Sequence, residues 1–335
     1  MNPSDDLKFP NRRPWLLVLL VVLLVFFGYR YARTRWPGAV PEAVPTAPVP
    51  AAVASAPVMD TVVASNVAVV ASIPAAAVSN PAPAMVNMAV VLSAVEISNR
   101  LASVAETVKK DQWQAARGML MDLLKSPLPD DVRADVEIRV AAIHTNMVFT
   151  PMKMPEKIDC VIKRGDSIEL FAKRFGTTAR LIQRGNFISD PDHVRVGDLV
   201  RVFTGRFAIE ISKEKNELLL KMNDGFFKRY KVGTGKYGKT PVGTFIIVRK
   251  EVEPAWWTKD GVVPFGNTNN ILGTRWMELE ATGETMPVKG YGIHGTWDDA
   301  SIGKAESAGC IRMHNADVEE LFDMLPYGAP VVITE

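Results

Sequence analysis

Gly292-Ile293-His294-Gly295-Thr296 and, further on, Ser307-Ala308-Gly309-Cys310-Ile311-Arg312-Met313-His314-Asn315 decide how this chain is read. A cysteine stands among small residues, with a histidine sixteen positions before it. A cysteine becomes a strong nucleophile where an imidazole or a positive field lowers its pKa. Small residues ahead of the sulfur let backbone N–H groups approach a developing oxyanion. The gap is too long for one turn, so the two side chains must meet through the fold. A buried cysteine in a glycine turn and a core-satisfied histidine is the commoner arrangement for isolated residues. Here the pair falls between a glycine-flanked histidine, read as a turn, and a helix start, outside any apolar run. On chemistry alone, thiol acyl transfer and packing stand level.

His294-Gly295-Thr296, Ser307, Gly309-Cys310-Ile311-Arg312-Met313 and Asn315 resemble the signature of the L,D-transpeptidase catalytic domain, the YkuD family. Val232-Gly233-Thr234-Gly235, followed by Lys239-Thr240-Pro241-Val242-Gly243-Thr244-Phe245, resembles the family's G…TPxGxF segment. The resemblance covers 205–335 and implies a mostly-β catalytic domain. It implies a peptidoglycan tetrapeptide stem as donor: Cys310 attacks the carbonyl of the third stem residue and releases the terminal D-alanine. His294 takes the thiol proton and later deprotonates the acceptor amine. The Gly295 carbonyl is expected to orient the imidazole in place of a triad acid. The backbone N–H groups of Ala308, Gly309 and Cys310 are expected to hold the oxyanion, within a motif that Ser307 completes. Arg312 either holds a substrate carboxylate or braces the loop. Trp276, like Trp256 and Trp257, either lines the substrate channel or packs in the core. Carbapenem-type β-lactams are expected to acylate the thiol, because their carbonyl mimics the scissile amide. Neither cofactor nor metal is expected. At Ala308 many members carry histidine, and a backbone role there survives the change whereas an imidazole role does not.

The same thioester admits other outcomes. Water as acceptor makes an L,D-carboxypeptidase or endopeptidase, and a protein amine attaches that protein to the wall. A non-catalytic peptidoglycan-binding protein is the reading of a different class, opposed by the intact His294, Ser307, Gly309 and Cys310.

Working outward, 158–203 reads as strand, helix, helix, strand. Cys160-Val161-Ile162 suits a strand, and Gly165-Asp166-Ser167 a turn into a helix with Asp166 and Glu169 as a capping box. Leu170-Phe171 and Phe175 supply that helix's apolar face, Gly176 stops it, and Thr178 opens the next. This order, with Val161, Ala172, Leu181, Asn186, Val196-Gly197 and Leu199, resembles a LysM domain. The resemblance implies binding of N-acetylglucosamine chains by two loops, here Gly165, Asp166 and Ser167 with Asn186, Phe187 and Ile188; turns and caps alone are the plainer reading of each.

Residues 91–150 carry helical periodicity: Leu101, Val104, Ala105 and Val108, then a second helix capped by Asp111, then a third from Asp130 to Met147 containing an unremarkable His144. Residues 37–90 are Ala-, Val- and Pro-rich and almost uncharged, a tether reaching on the order of 170 Å extended or ~40 Å as a coil. After a tail over 1–14, the apolar run within 15–36 reads as an uncleaved transmembrane signal anchor, with Arg30 and Arg33 at its far end. A cell-envelope location follows, with the C-terminal domains outside the cytoplasm, and peptidoglycan and the membrane as partners.

In the last domain, Asn223-Asp224-Gly225 between two apolar runs is a hairpin signal, and Asn315 is expected to cap a helix over Ala316 to Leu325. The 335 residues carry a formal net charge of +2, which gives no sign of nucleic-acid binding. Two cysteines exclude a disulfide scaffold, and Cys310 is expected to be free.

Overall fold

The computed structural model describes residues 92–335. The tail, anchor and tether expected over 1–14, 15–36 and 37–90 lie outside them. Among the described residues no helix is long and apolar enough to cross a membrane.

Three helices come first: α1 (Ala94–Lys109), α2 (Trp113–Leu124) and α3 (Asp130–Val148). Ser93 opens α1 by accepting from the Glu96 N–H at 3.2 Å. Asp111 does not cap α2 as expected; the chain passes through it with φ 58°, and Gln112 takes the cap position without a side-chain bond. The turn needs a left-handed residue there, which removes Asp111 from capping geometry. The helices share one continuous core with the sheet: Leu120, Leu123, Val140 and Met147 belong to the same buried cluster as Phe207, Phe227 and Ile209. His144, which the sequence leaves unremarkable, sits at this seam. It accepts from Arg117 Nε at 3.0 Å, contacts the Phe227 carbonyl through Nδ1 at 3.2 Å, and stacks on the Phe227 ring at 5.0 Å. Arg117 also forks onto Glu156 at 2.6 and 3.0 Å. Burial and the neighbouring guanidinium pull the His144 pKa down to about 4.

The next unit is β1 (Lys157–Val161), α4 (Ile168–Phe175), α5 (Ala179–Gly185) and β2 (Leu199–Phe203), with β1 and β2 antiparallel. Its small core holds Ile162, Ile168, Phe171, Ala172, Ile182, Val200 and Val202. The cap falls one residue later than the capping box predicts: Ser167 accepts from the Leu170 N–H, while Asp166 accepts from Lys163 across the turn. Starting at Ile168 turns positions 168, 171, 172 and 175 inward and leaves Leu170 about half exposed.

The last domain is built on an eight-stranded sheet. Its strands are β3 (Phe207–Ser212), β4 (Glu217–Met222), β5 (Gly225–Lys231), β7 (Gly243–Val252), β10 (Arg275–Thr282), β11 (Gly292–Thr296), β13 (Ile311–His314) and β14 (Pro330–Thr334). The order is β13-β11-β10-β7-β14-β3-β4-β5. Pairing is antiparallel except for β11 with β13 and β14 with β3. Short strands β6 (Thr234–Gly235), β8 (Trp256–Thr258), β9 (Gly261–Val263) and β12 (Ala305–Ser307) form two small ladders. The β4–β5 hairpin turns on Asn223 and Asp224, both with positive φ, as the Asn-Asp-Gly signal requires.

Helix α6 (Asn315–Met324) covers one face of the sheet with Val318, Leu321, Phe322 and Met324. Met277, Ile293, Ile311 and Met313 point to that face and are fully buried. Lys250 reaches there too, and its ammonium donates to the Phe322 and Leu325 carbonyls at the helix C-terminus, both at 2.6 Å. The opposite face carries the site.

Candidate active site

A sheet places laterally paired residues on one face. Arg312 on β13 pairs with His294 on β11, His294 with Trp276 on β10, and Trp276 with Glu251 on β7. Four residues scattered over sixty positions of sequence thereby form one row across four strands, away from α6. The residues around His294, expected to be a turn, are the buried central strand β11. A strand is the reason His294 is held rigidly: it is 2 % exposed and its ring stacks on Trp276 at 5.7 Å.

The nucleophile precedes β13, where the chain turns through Ser307, Ala308 and Gly309. Ser307 Oγ closes this turn. It accepts from the Gly309 N–H at 3.0 Å and donates to the Cys310 carbonyl at 2.6 Å. The Gly309 N–H is thus spent inside the turn, which corrects its expected place in the oxyanion hole. Gly309 has φ 141°, and a Cβ there would lie 2.5 Å from the Tyr291 ring, so only glycine fits. A second clamp comes from Thr240, fully buried. Its hydroxyl donates to the Gly309 carbonyl at 2.8 Å and accepts from the Gly235 N–H at 2.7 Å. The Thr-Pro of the G…TPxGxF segment is therefore a brace for the nucleophile turn.

His294 Nδ1 lies 2.6 Å from the Gly295 carbonyl, as expected from the sequence. Donation to that carbonyl leaves the Nε2 lone pair as the basic site. Burial pulls the imidazole pKa down to about 4, opposed by the Gly295 carbonyl, with Arg312 adding to the depression. Burial pushes the Cys310 thiol up, while the Gly292 backbone and the Arg312 guanidinium pull it back. The thiol contacts the Gly290 carbonyl at 3.6 Å rather than the imidazole. Thiol and imidazole face one space as a neutral pair, not as an ion pair.

That space is a cavity of about 330 Å³. Cys310, Ala308, Ser307, His294 and Arg312 line one side, and Trp256, Trp257, Trp276, Glu251 and Glu278 another. Trp276 is both packed and channel-lining: it is buried and forms part of the wall. Ala308 is exposed at the mouth. Arg312 approaches Asp298 no closer than 3.9 Å, and its buried Nε has no partner among the described residues. Such a guanidinium can accept a carboxylate from the cavity. A larger groove of about 820 Å³ between α3 and β5 holds neither thiol nor imidazole. Its Arg229 pairs with Glu137 and Glu217.

The second set of expected site residues stays apart from the cavity, in the β1–β2 unit. Gly165 turns with φ 90°, and Asp166 and Ser167 hold turn and cap. Asn186 is saturated: it donates to the Ile182 and Arg201 carbonyls and accepts from the Arg201 N–H, each at 2.7 Å. Phe187 is 72 % exposed, and Ile188 packs on the unit's core. Asn186 and Ile188, with Val194, Leu199 and Arg201, line a groove of about 330 Å³, but Gly165, Asp166 and Ser167 do not.

Sequence reasoning missed three supports: Thr240, Tyr291 and Asn315. Asn315 does not cap α6, since His314 occupies that position. Its side chain accepts from the Thr274 N–H at 3.0 Å and donates to the Thr296 carbonyl at 2.9 Å. It ties β11 to the β10 entry, which fixes the register between His294 and Trp276.

Comparison with known proteins gives two family matches: the L,D-transpeptidase catalytic domain of YkuD type over 206–333, and the LysM domain over 160–203. YqjB of Bacillus subtilis (strain 168), named provisionally as an L,D-transpeptidase, is 39 % identical over 126 residues, 37 % of this chain and 69 % of that protein. YkuD of Bacillus licheniformis, named in the same way, is 33 % identical over 180 residues, 52 % of this chain and 96 % of that one. YkuD of Bacillus subtilis (strain 168) is 33 % identical over 178 residues and is covered to 96 %.

Proposed function

The chain belongs to the YkuD family of L,D-transpeptidases, and on that premise we propose how its own residues cross-link peptidoglycan. Cys310 Sγ attacks the carbonyl carbon of the third residue of a tetrapeptide stem, and the thiol proton passes to His294 Nε2. Attack requires the thiol to swing from the Gly290 carbonyl toward the imidazole. The N–H groups of Ala308 and Cys310 hold the tetrahedral oxyanion. The C–N bond then breaks, and the D-alanine amine leaves with the proton from the imidazolium. A second stem's amine attacks the thioester, gives its proton to His294, and displaces the sulfur, which is reprotonated. Arg312 holds the carboxylate of the departing D-alanine.

The observation that carries this reading is the convergence of Cys310, His294, Ala308 and Arg312 on one cavity. Purified protein incubated with a defined tetrapeptide muropeptide should give a cross-linked dimer by mass spectrometry. Conversion to tripeptide alone would make it a carboxypeptidase, and unchanged substrate would refute the assignment. Carbapenems acylate Cys310 by the same attack. The LysM unit binds glycan strands through the Gly165–Ser167 and Asn186–Ile188 loops, with Phe187 as the exposed contact. The apolar run in 15–36 anchors the enzyme to the membrane, and 37–90 lets it search the wall from there. The cell envelope is the site of action.

A further inference from the structure

A positively charged groove of about 460 Å³ lies at the seam between the β1–β2 unit and the sheet domain. The last turn of α4 and the Gly176 that stops it form one wall. The start of β3 and the loop from α6 to β14 form the other. Lys173, Arg174 and Arg206 line it, and no acidic residue does. Arg174 meets a carboxylate only at Asp166, 3.7 Å away, and Lys173 and Arg206 form no ion pair among the described residues. Like charges facing one space repel, and an anion placed among them relieves that repulsion. Beneath the cations the floor is apolar, with Phe207 and Ala329 buried and Phe175 half-buried. Tyr327 stands at the rim, 67 % exposed. The two walls are held together by Asp323 on α6. Its carboxylate accepts from Arg184 Nη1 at 2.9 Å, and its backbone carbonyl accepts from the Thr178 hydroxyl. The groove is thus shaped in advance of any ligand, which lowers the cost of binding.

The groove and the catalytic cavity belong to opposite faces of the sheet. Lys250 donates to the C-terminus of α6, and its ammonium stands 6.0 Å from the Tyr327 ring, so the groove lies on the α6 side. It also shares no residue with the groove that Asn186 and Ile188 line. A ligand held here is out of reach of Cys310. Resting on the transpeptidase reading, we propose that this groove binds the carboxylate-bearing end of a second stem peptide, one that is not being cut. A stem that is not cross-linked ends in a C-terminal carboxylate, which Lys173, Arg174 and Arg206 meet. The apolar floor and the Tyr327 ring suit the methyl and methylene groups of a peptide, which a bare phosphate polymer lacks the means to use. Each cross-link replaces the donor's terminal carboxylate by an amide. The ligand of the groove therefore disappears as the reaction proceeds, and the enzyme is held where uncross-linked stems are crowded.

The test measures adhesion without turnover. Full-length Cys310→Ala protein is sedimented with graded amounts of purified sacculi to give an apparent Kd. The sacculi are untreated, freed of attached phosphate polymers with hydrofluoric acid, amidated at their carboxylates, or stripped of stems by an amidase. The parent should bind untreated and acid-treated walls alike, and the amidated wall about threefold or more weakly. Lys173→Gln with Arg206→Gln should bind the untreated wall about threefold less tightly than the parent does, and the stemless wall equally. Lys173→Glu with Arg206→Glu should prefer the amidated wall to the untreated one, an inversion that misfolding does not produce. The same reversal at Lys110 and Lys215, exposed and outside the groove, should leave the parent's preference in place. If it inverts the preference too, adhesion follows net charge and the site is overturned. Equal binding of the untreated wall by the parent and both groove variants also overturns it. A preference of the parent that vanishes after hydrofluoric acid assigns the anion to phosphate and overturns the stem as ligand. With Cys310 restored, Lys173→Gln with Arg206→Gln should release D-alanine from a soluble tetrapeptide at the wild-type rate. No release by the wild type overturns the transpeptidase reading, a result separate from every adhesion outcome.

Discussion

The neutrality of the catalytic pair leads to a pH signature that separates this enzyme from one with a preformed thiolate. Burial holds the His294 imidazole down at about 4 and pushes the Cys310 thiol above its ordinary value, so at neutral pH the proton rests on sulfur and thiolate forms only as the carbonyl is attacked. Alkylation of Cys310 by iodoacetamide, followed by intact mass in a Cys160→Ala background, should therefore rise about tenfold per pH unit between 7 and 9. Acylation by a carbapenem needs neutral His294 instead. It should stay level from about pH 5.5 to 8 and fall as pH drops toward 4. An alkylation rate that plateaus below pH 7 would show a stable thiolate and refute the neutral pair.

Four further outcomes are expected. Thr240→Val keeps the volume but leaves the Gly235 N–H and Gly309 carbonyl unpaired; it should cost about 2–4 kcal/mol in urea unfolding and lower acylation more than tenfold, and unaltered acylation would remove the brace from the site. His294→Ala should slow acylation by roughly 10²–10⁴-fold, and a variant retaining the wild-type pH profile would exclude the base role. His144 is held neutral in the fold with a pKa of about 4 against 6.5, so the unfolded chain binds more protons between those values. Its contribution is complete above 6.5 and is lost as pH falls toward 4, up to about 3 kcal/mol; His144→Phe, less stable at pH 7, should lose less between pH 7 and 5 in thermal melts than the parent does. Finally, protein containing the LysM unit should pellet with purified sacculi in moderate salt. Loss of pelleting as salt rises would assign the adhesion to Lys163, Arg164 and Arg184 instead.

What the sequence disclosed follows from where each constraint acts. Cys310, His294 and the small residues of the turn are legible because acyl transfer needs those residue types close to the reacting atoms. The hairpin at Asn223-Asp224 is legible because positive φ at two successive positions admits few residues. Two helix starts fall one residue later than the sequence suggests: Asp166 and Ser167 are equally good caps and the chain's approach selects Ser167, whereas Asp111 takes a positive φ and leaves the cap position to Gln112. Thr240 stands inside a recognisable motif, yet the sequence hides what it does. A buried hydroxyl shows its function only through partners, and one of its partners lies sixty-nine positions away.

The same reasoning explains why the charged wall of the cavity is invisible in sequence. Alternation along β10 reads Trp276, Met277, Glu278 as an ordinary half-exposed strand, with Glu278 pointing to solvent. Only the lateral register turns that solvent into a cavity, by bringing Gly292 and the nucleophile turn to one flank and Arg249 to the other. Motifs run along the chain, whereas recognition in this fold runs across the strands. Chemistry common to the reaction concentrates in the short stretch from Ser307 to Arg312. The rest of the cavity wall is drawn from other strands: Arg249 and Glu251 from β7, Trp276 and Glu278 from β10, and His294 from β11. A substitution at Arg249, Glu251 or Glu278 can therefore reshape the cavity without touching the stretch from Ser307 to Arg312.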